Sequence, residues 1–247
     1  MSTFDRLRTL AALLRSRNHE GRVMHFHVPK PLHGWREFAG EVGIIVLGVL
    51  VALGAEQLVE SLHWRGEVRD AKSAIRQDMA QSNRVFAYRV AAHDCVARRL
   101  SKIGEIIERS AQHQGPPNVG DVFPDIGNAL DENAWETSRA GQVLQHFDRR
   151  SLGLYGIYYL QLHNVGAFML KEGDDWGVLR ALRGNPNRLA PPDFAGMRVA
   201  LMHASFENDI IADIALEELG YSKALGVSVP KPERARLATV CRPLATG

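Results

Sequence analysis

Two hydrophobic patterns follow one another in the first half of the chain. From Val42 to Ala55, VGIIVLGVLVALGA, fourteen consecutive residues carry no charge and no side-chain hydrogen-bonding group. Further on, a stripe recurs in steps of three and four through Val68, Ala71, Ile75, Met79, Ser82, Phe86, Val90, His93, Val96, Leu100, Ile103 and Ile107. The first pattern is apolar on every side of a helix, and the second is one face of a helix with Arg, Asp, Gln and Glu opposite. No proline occurs between Trp35 and Pro116. The two patterns therefore predict one long helix, with Gly66 as the place where a break is expected.

The fourteen apolar residues alone rise about 21 Å as a helix, short of a hydrocarbon layer of about 30 Å. The flanks extend them. Phe38–Leu62 is interrupted only by Glu41, Glu56, Gln57, Glu60 and Ser61, all near the ends, and Trp35 and Trp64 bracket it like the aromatic belts of a spanning helix. Glycines 43, 48 and 54 among Ile, Val and Leu suit a lipid environment better than a soluble helix. Residues 34–64 are expected to form a single transmembrane helix. Gly48 and Ala52 make a small-xxx-small pair that could seat a second copy, and Glu41 and Glu56 are carboxylates expected at the membrane boundary.

Beyond the stripe, QHQGPPNVGDVFPDIG at 112–127 reads as a loop. Helices are expected at 128–147, capped by Asn128 or Asp131, and at 148–170, capped by Asp148 or Ser151. KEGDDWG at 171–177 reads as a turn whose aspartates cap a short following helix. A last helix is expected from Pro191–Pro192 to Gly220. The predicted fold is all-α: a transmembrane helix continuing into a stalk helix, then an antiparallel helical bundle. A basic arm (1–33), the span (34–64), a bundle (65–225) and an irregular tail (226–247) make up the chain.

Charge changes the picture only at the N-terminus. The whole chain carries a formal +2, too little to imply a nucleic-acid partner. Residues 1–37, however, hold seven Lys or Arg against three acids. TFDRLRTLAALLRSR could lie as a short amphipathic helix on an anionic membrane, and Met24 would serve as a start of its own. Basic residues tie at four on each side of the span, Arg17, Arg22, Lys30 and Arg36 against Arg65, Arg69, Lys72 and Arg76. The further Arg6, Arg8 and Arg15 tip the expectation to N-terminus inside and domain outside. Cys95 and Cys241, the only cysteines, then have two readings: one disulfide in an oxidising compartment, or two reduced core thiols.

Candidate chemistry is sparse. Nothing matches a phosphate-binding Gly loop, GxSxG, HExxH or an EF-hand loop. Glu207, Asp209, Asp213, Glu217 and Glu218 read as a solvated helix face, with Asp209, Asp213 and Glu217 in steps of four on one side, and the single Glu-x-x-His, Glu60–His63, cannot supply a di-metal bundle. His25, His27 and His33 lack an acid or thiol to complete a metal set, and His93 and Cys95 face different ways on a helix. No cofactor, metal or catalytic residue is assigned. Trp135, Arg139 and Tyr158 are the candidate ligand pocket, with Arg139 reading as the partner of an anion.

MHFHVPKPLHGWREFAGEVGIIVLGVLVALGAEQLVE, with the charged helix after it, resembles a group of bacterial membrane proteins that have no assigned activity. They share a Pro-containing arm, a Gly-rich spanning helix beginning W-R-E-F and a helical domain. The match covers roughly residues 24–70, and ENAWETSRAG is similar more weakly. The resemblance implies a bacterial inner-membrane protein and no reaction. The functional expectation is a non-catalytic periplasmic domain that binds an envelope protein or a second copy of itself. A membrane-tethered small-ligand sensor is the alternative, and a metal-dependent enzyme a more distant one.

Overall fold

The computed structural model describes residues 34–124, 126–127 and 130–246, so the expectations for the basic arm, His25, His27, His33, Met24 and Asn128 lie outside the described residues. The chain divides into two compact units, Met1–Gln57 and Leu58–Gly247. The first described element, α1, is a 77-residue helix from Trp35 to Ala111 that runs through Gly66 without a break. Glu37 in its first turn and Arg109 in its last complement the helix dipole. It stops where His113 turns left-handed (φ 57°) and Gln114 N–H closes on the Arg109 carbonyl at 2.8 Å, just before Gly115-Pro116-Pro117.

In the first unit every described side chain is exposed, from Trp35 at 79% through Ile44 at 74% to Val51 at 64%. An 18-residue window of α1 reaches a mean hydropathy of 2.3 with none of it buried. This one helix near the N-terminus is long and apolar enough to cross a membrane.

The second unit is all-helical, with no strand among the described residues. After α1 come α2 (Asn133–Ala140), a single 3₁₀ turn at Val143–His146, α3 (Arg149–Leu179), α4 (Pro191–Ala224) and α5 (Arg234–Val240). The helix expected over 128–147 is shorter, because the chain turns extended at Gly141 (ψ 176°). Asp148 caps α3 by accepting the Ser151 N–H at 2.8 Å. The turn expected at 171–177 is instead continuous helix. Glu172 and Trp176 both point into the core there, so packing holds the helical register through Gly173 and the two aspartates. Asp193 caps α4 from within, accepting the Ala190 N–H at 2.9 Å. That helix runs four residues beyond Gly220, to Ala224.

Contacts fix the directions. Tyr159 meets Ile75 and Glu172 meets Arg89, so α3 runs parallel to α1. Ser222 meets Asn83, Asp209 meets His93 and Arg198 meets Glu108, so α4 is antiparallel to both. The long connection over 112–148 makes the parallel pair possible by carrying the chain back along α1.

The expected stripe on α1 is buried at Ile75, Met79, Ser82, Phe86, Val96, Leu100, Ile103 and Ile107, but the buried face is wider. It also takes in Asn83, Tyr88, Arg89, Ala92 and Cys95, because α3, α4 and the C-terminal segment all pack against it. Two apolar clusters result, one around Ile103, Trp176 and Met197, the other around Phe86, Tyr158 and Ile211. The segment 226–246 is part of this packing. Val227 and Val240 are buried, Val119 and Gly184 exchange backbone bonds at 2.7 and 2.8 Å, Gly120 donates to the Ala245 carbonyl, and a Cys95–Cys241 disulfide (Cα–Cα 4.8 Å) closes the chain end onto α1.

The disulfide spans a sequence separation of 146 residues. A cross-link over so long a loop removes enough unfolded-chain entropy to contribute roughly 3–5 kcal/mol. The Cys95→Ala/Cys241→Ala variant should lose stability on that scale in urea unfolding, and wild type in reductant should show the same loss.

Candidate functional site

The second unit carries its concentrated chemistry in two places, an open groove between α2 and α3 and a polar layer inside the bundle. Each wall of the groove is a helix face. Glu132, Trp135, Glu136 and Arg139 step along and just before α2 at i, i+3, i+4 and i+7, while Gly156, Tyr159, Leu160 and His163 repeat that spacing on α3. The space between them is about 680 Å³. Trp135 and Tyr159 stack in parallel planes, centroids 5.0 Å apart, and form its floor. Both rings are buried, whereas Leu160 on the flank is 63% exposed. A Cβ built at Gly156 would touch nothing, so that wall stays open.

The rim is polar. Arg139 donates to Glu136 at 2.8 Å, one turn back on the same helix. The Glu132 carboxylate has His163 Nδ1 as its nearest ion-pair partner, at 4.0 Å. Trp135 and Arg139 of the expected pocket therefore do line one site. Tyr158 does not: its ring meets Tyr159 edge to face at 5.3 Å but lies on the inner side, fully buried, with its hydroxyl on Asn83. Sequence reasoning missed Tyr159, along with Glu132, Leu160 and His163. Heptad-like spacing from Gly156 and His163 could have found Tyr159, had the pairing of α2 with α3 been known.

The polar layer separates the two apolar clusters. Arg89 Nη2 donates to Glu172 Oε1 at 2.9 Å, with both side chains almost wholly buried. Glu207 and Asn208 enter from α4 at the same level, and Asn208 donates to the His93 carbonyl. Burial, opposed by Arg89, pushes the Glu172 carboxyl up. Glu207 is pushed up to about 7 by burial and by Asp175 and Glu172 beside it. Three turns further along α4, Glu218 is fully buried and neither carboxyl oxygen has a hydrogen-bond partner, so Glu207 and Glu218 leave the solvated face expected of them and turn into the packing against α1 and α3. Burial, then Glu217, raises it to about 9. Its surroundings are otherwise paired: Asn83 accepts from Ser222 Oγ at 2.9 Å and from Tyr158 at 3.4 Å, and donates to the Ser228 carbonyl.

The other candidates stay apart. His93 sits between Asp209 (2.8 Å) and Asp94 (3.1 Å), and the Asp209 bond, against a smaller burial effect, raises its pKa. Its ring bonds to these surface carboxylates, while the neighbouring Cys95 is in the disulfide. Asp213 and Glu217 lie on the outer side of α4, with Glu217 accepting from Gln161. Trp64 bonds to Glu60 and stacks on His146 at 4.0 Å, a contact between α1 and the 3₁₀ turn. Gly48, Ala52, Glu41 and Glu56 are exposed along α1. Among the described residues no group of three or more His, Cys, Asp or Glu is placed to hold a metal ion.

Raised carboxyl pKa values have a definite sign. The Glu218 contribution is fully present below its unfolded value near 4.5 and is lost as pH rises through about 9; for Glu207 the loss is complete through about 7. Glu218→Gln, which mimics the protonated acid, should therefore raise the melting temperature at pH 8 and leave it nearly unchanged at pH 4.5. A melting temperature that falls at both pH values would show that the Glu218 carboxyl is ionised and paired in the fold. No protein family, curated protein or solved structure matches the chain.

Proposed function

We propose that this is a single-pass bacterial inner-membrane protein, its N-terminal arm cytoplasmic and its helical domain periplasmic, and that the domain acts without catalysis by binding an envelope protein or a second copy of itself. The observation that carries the reading is the bare apolar stretch of α1. Residues 42–55 offer Ile, Val and Leu on all sides, and nothing in the described chain covers them. In water that surface would drive aggregation, whereas lipid covers it at no cost. Two observations support the rest. The Cys95–Cys241 disulfide suits an oxidising compartment, and the basic excess before the span suits a cytoplasmic arm. The W-R-E-F resemblance supports a bacterial envelope.

Cysteine accessibility tests location and orientation together. Cys95 and Cys241 should react with a membrane-impermeant maleimide only after reduction and opening of the outer membrane. Reaction only after cell lysis, without reductant, would put the domain in the cytoplasm and reverse the orientation. The protein should also stay in the pellet after alkaline carbonate extraction, and release into the supernatant would remove the span.

A further inference from the structure

The groove between α2 and α3 has a charge pattern opposite to the one that Arg139 alone suggests. An anion entering it would meet two carboxylates, Glu132 and Glu136, and the one guanidinium present is already engaged by Glu136 at 2.8 Å. To use Arg139, an anion would have to break that pair while standing beside Glu132. A cation meets the reverse situation. Glu132 approaches no positive group closer than His163 at 4.0 Å, so it has acceptor capacity to spare. The floor is the stacked Trp135–Tyr159 pair, whose faces are turned on each other, so the rings offer apolar edges to a stem and the carboxylates hold the charge. Shape decides what kind of cation. The groove is open along its length, floored by aromatic rings and flanked by exposed Leu160, which fits a long side chain with an apolar stem and a charged head.

We propose that this groove is a docking site for an Arg or Lys side chain of a partner protein, its apolar stem lying on Trp135, Tyr159 and Leu160 and its charged head held by Glu132 and Glu136. The inference rests on the reading of the domain as an interaction module and supplies the chemistry of the partner.

The test uses the full chain in detergent micelles, following the Trp135 indole N–H by NMR, assigned with Trp135→Phe. Titration with acetyl-Gly-Arg-Gly-amide should move that resonance in a saturable way, and the neutral citrulline peptide and the glutamate peptide should not. Glu132→Gln/Glu136→Gln should weaken the arginine peptide about tenfold. Arg139→Gln, which frees Glu136, should bind it at least as tightly as wild type. Binding of the glutamate peptide that is lost in Arg139→Gln would overturn the proposal, as would a well-dispersed Trp135 resonance that no probe moves at 20-fold above the domain concentration and beyond, up to about 20 mM, where weak single-side-chain contacts saturate. Cross-linking in native membranes separates the two levels. Persisting cross-links with an inert groove would sink the docking site and leave the interaction module standing. A responsive groove with no cross-links in any condition would support the cation site and remove the partner.

Discussion

A helix cannot bury its own side chains. Because α1 runs 77 residues without a break, the partners for its buried face come from separate segments, and those among the described residues all lie later in the chain. That constraint organises the second unit. The connection over 112–148 returns along α1 so that α3 can lie parallel to it, α4 then comes back antiparallel, and the last twenty residues are folded onto the remaining side. The Cys95–Cys241 disulfide ties the C-terminal segment, whose helix α5 is only seven residues long, covalently to α1.

Where the three long helices meet, Arg89, Glu172, Glu207 and Asn208 interrupt the apolar packing. Such a layer is weak as a source of stability, because desolvating the charges offsets most of their attraction. It does discriminate between registers. Sliding α3 by one turn to bring Met169 or Trp176 beside Arg89 would bury the guanidinium against an apolar side chain, a much larger cost. Glu218 is different in kind. With both oxygens unpartnered, it fits the core only as a neutral acid, so its burial ties the fold to proton binding.

The groove shows how one polar contact can change the reading of a site. Arg139 beside an aromatic floor suggests an anion receptor until its pairing with Glu136 is seen; with that pair closed, the spare charge belongs to Glu132. On the acidic outer side of α4, by contrast, Asp213 is solvated.

The periodicities of single helices were legible in the sequence because they depend only on each residue and its neighbours three or four positions away. The apolar run at 42–55, the stripe from Ile75 to Ile107, the Asp148 cap and the all-α class are of this kind. The pairing of helices was not legible, since it depends on residues tens of positions apart. Nothing local to Glu172 distinguishes a turn-capping acid from one that reaches Arg89, eighty-three positions away. The same applies to Cys95 and Cys241, and to Tyr158 and Tyr159, adjacent aromatics of which only the second reaches the groove. The sequence by itself determined the all-α class, the faces of the long helices and which stretch is apolar enough for lipid. The tertiary structure alone decided which faces meet, and so which charges are buried, paired or left free to bind.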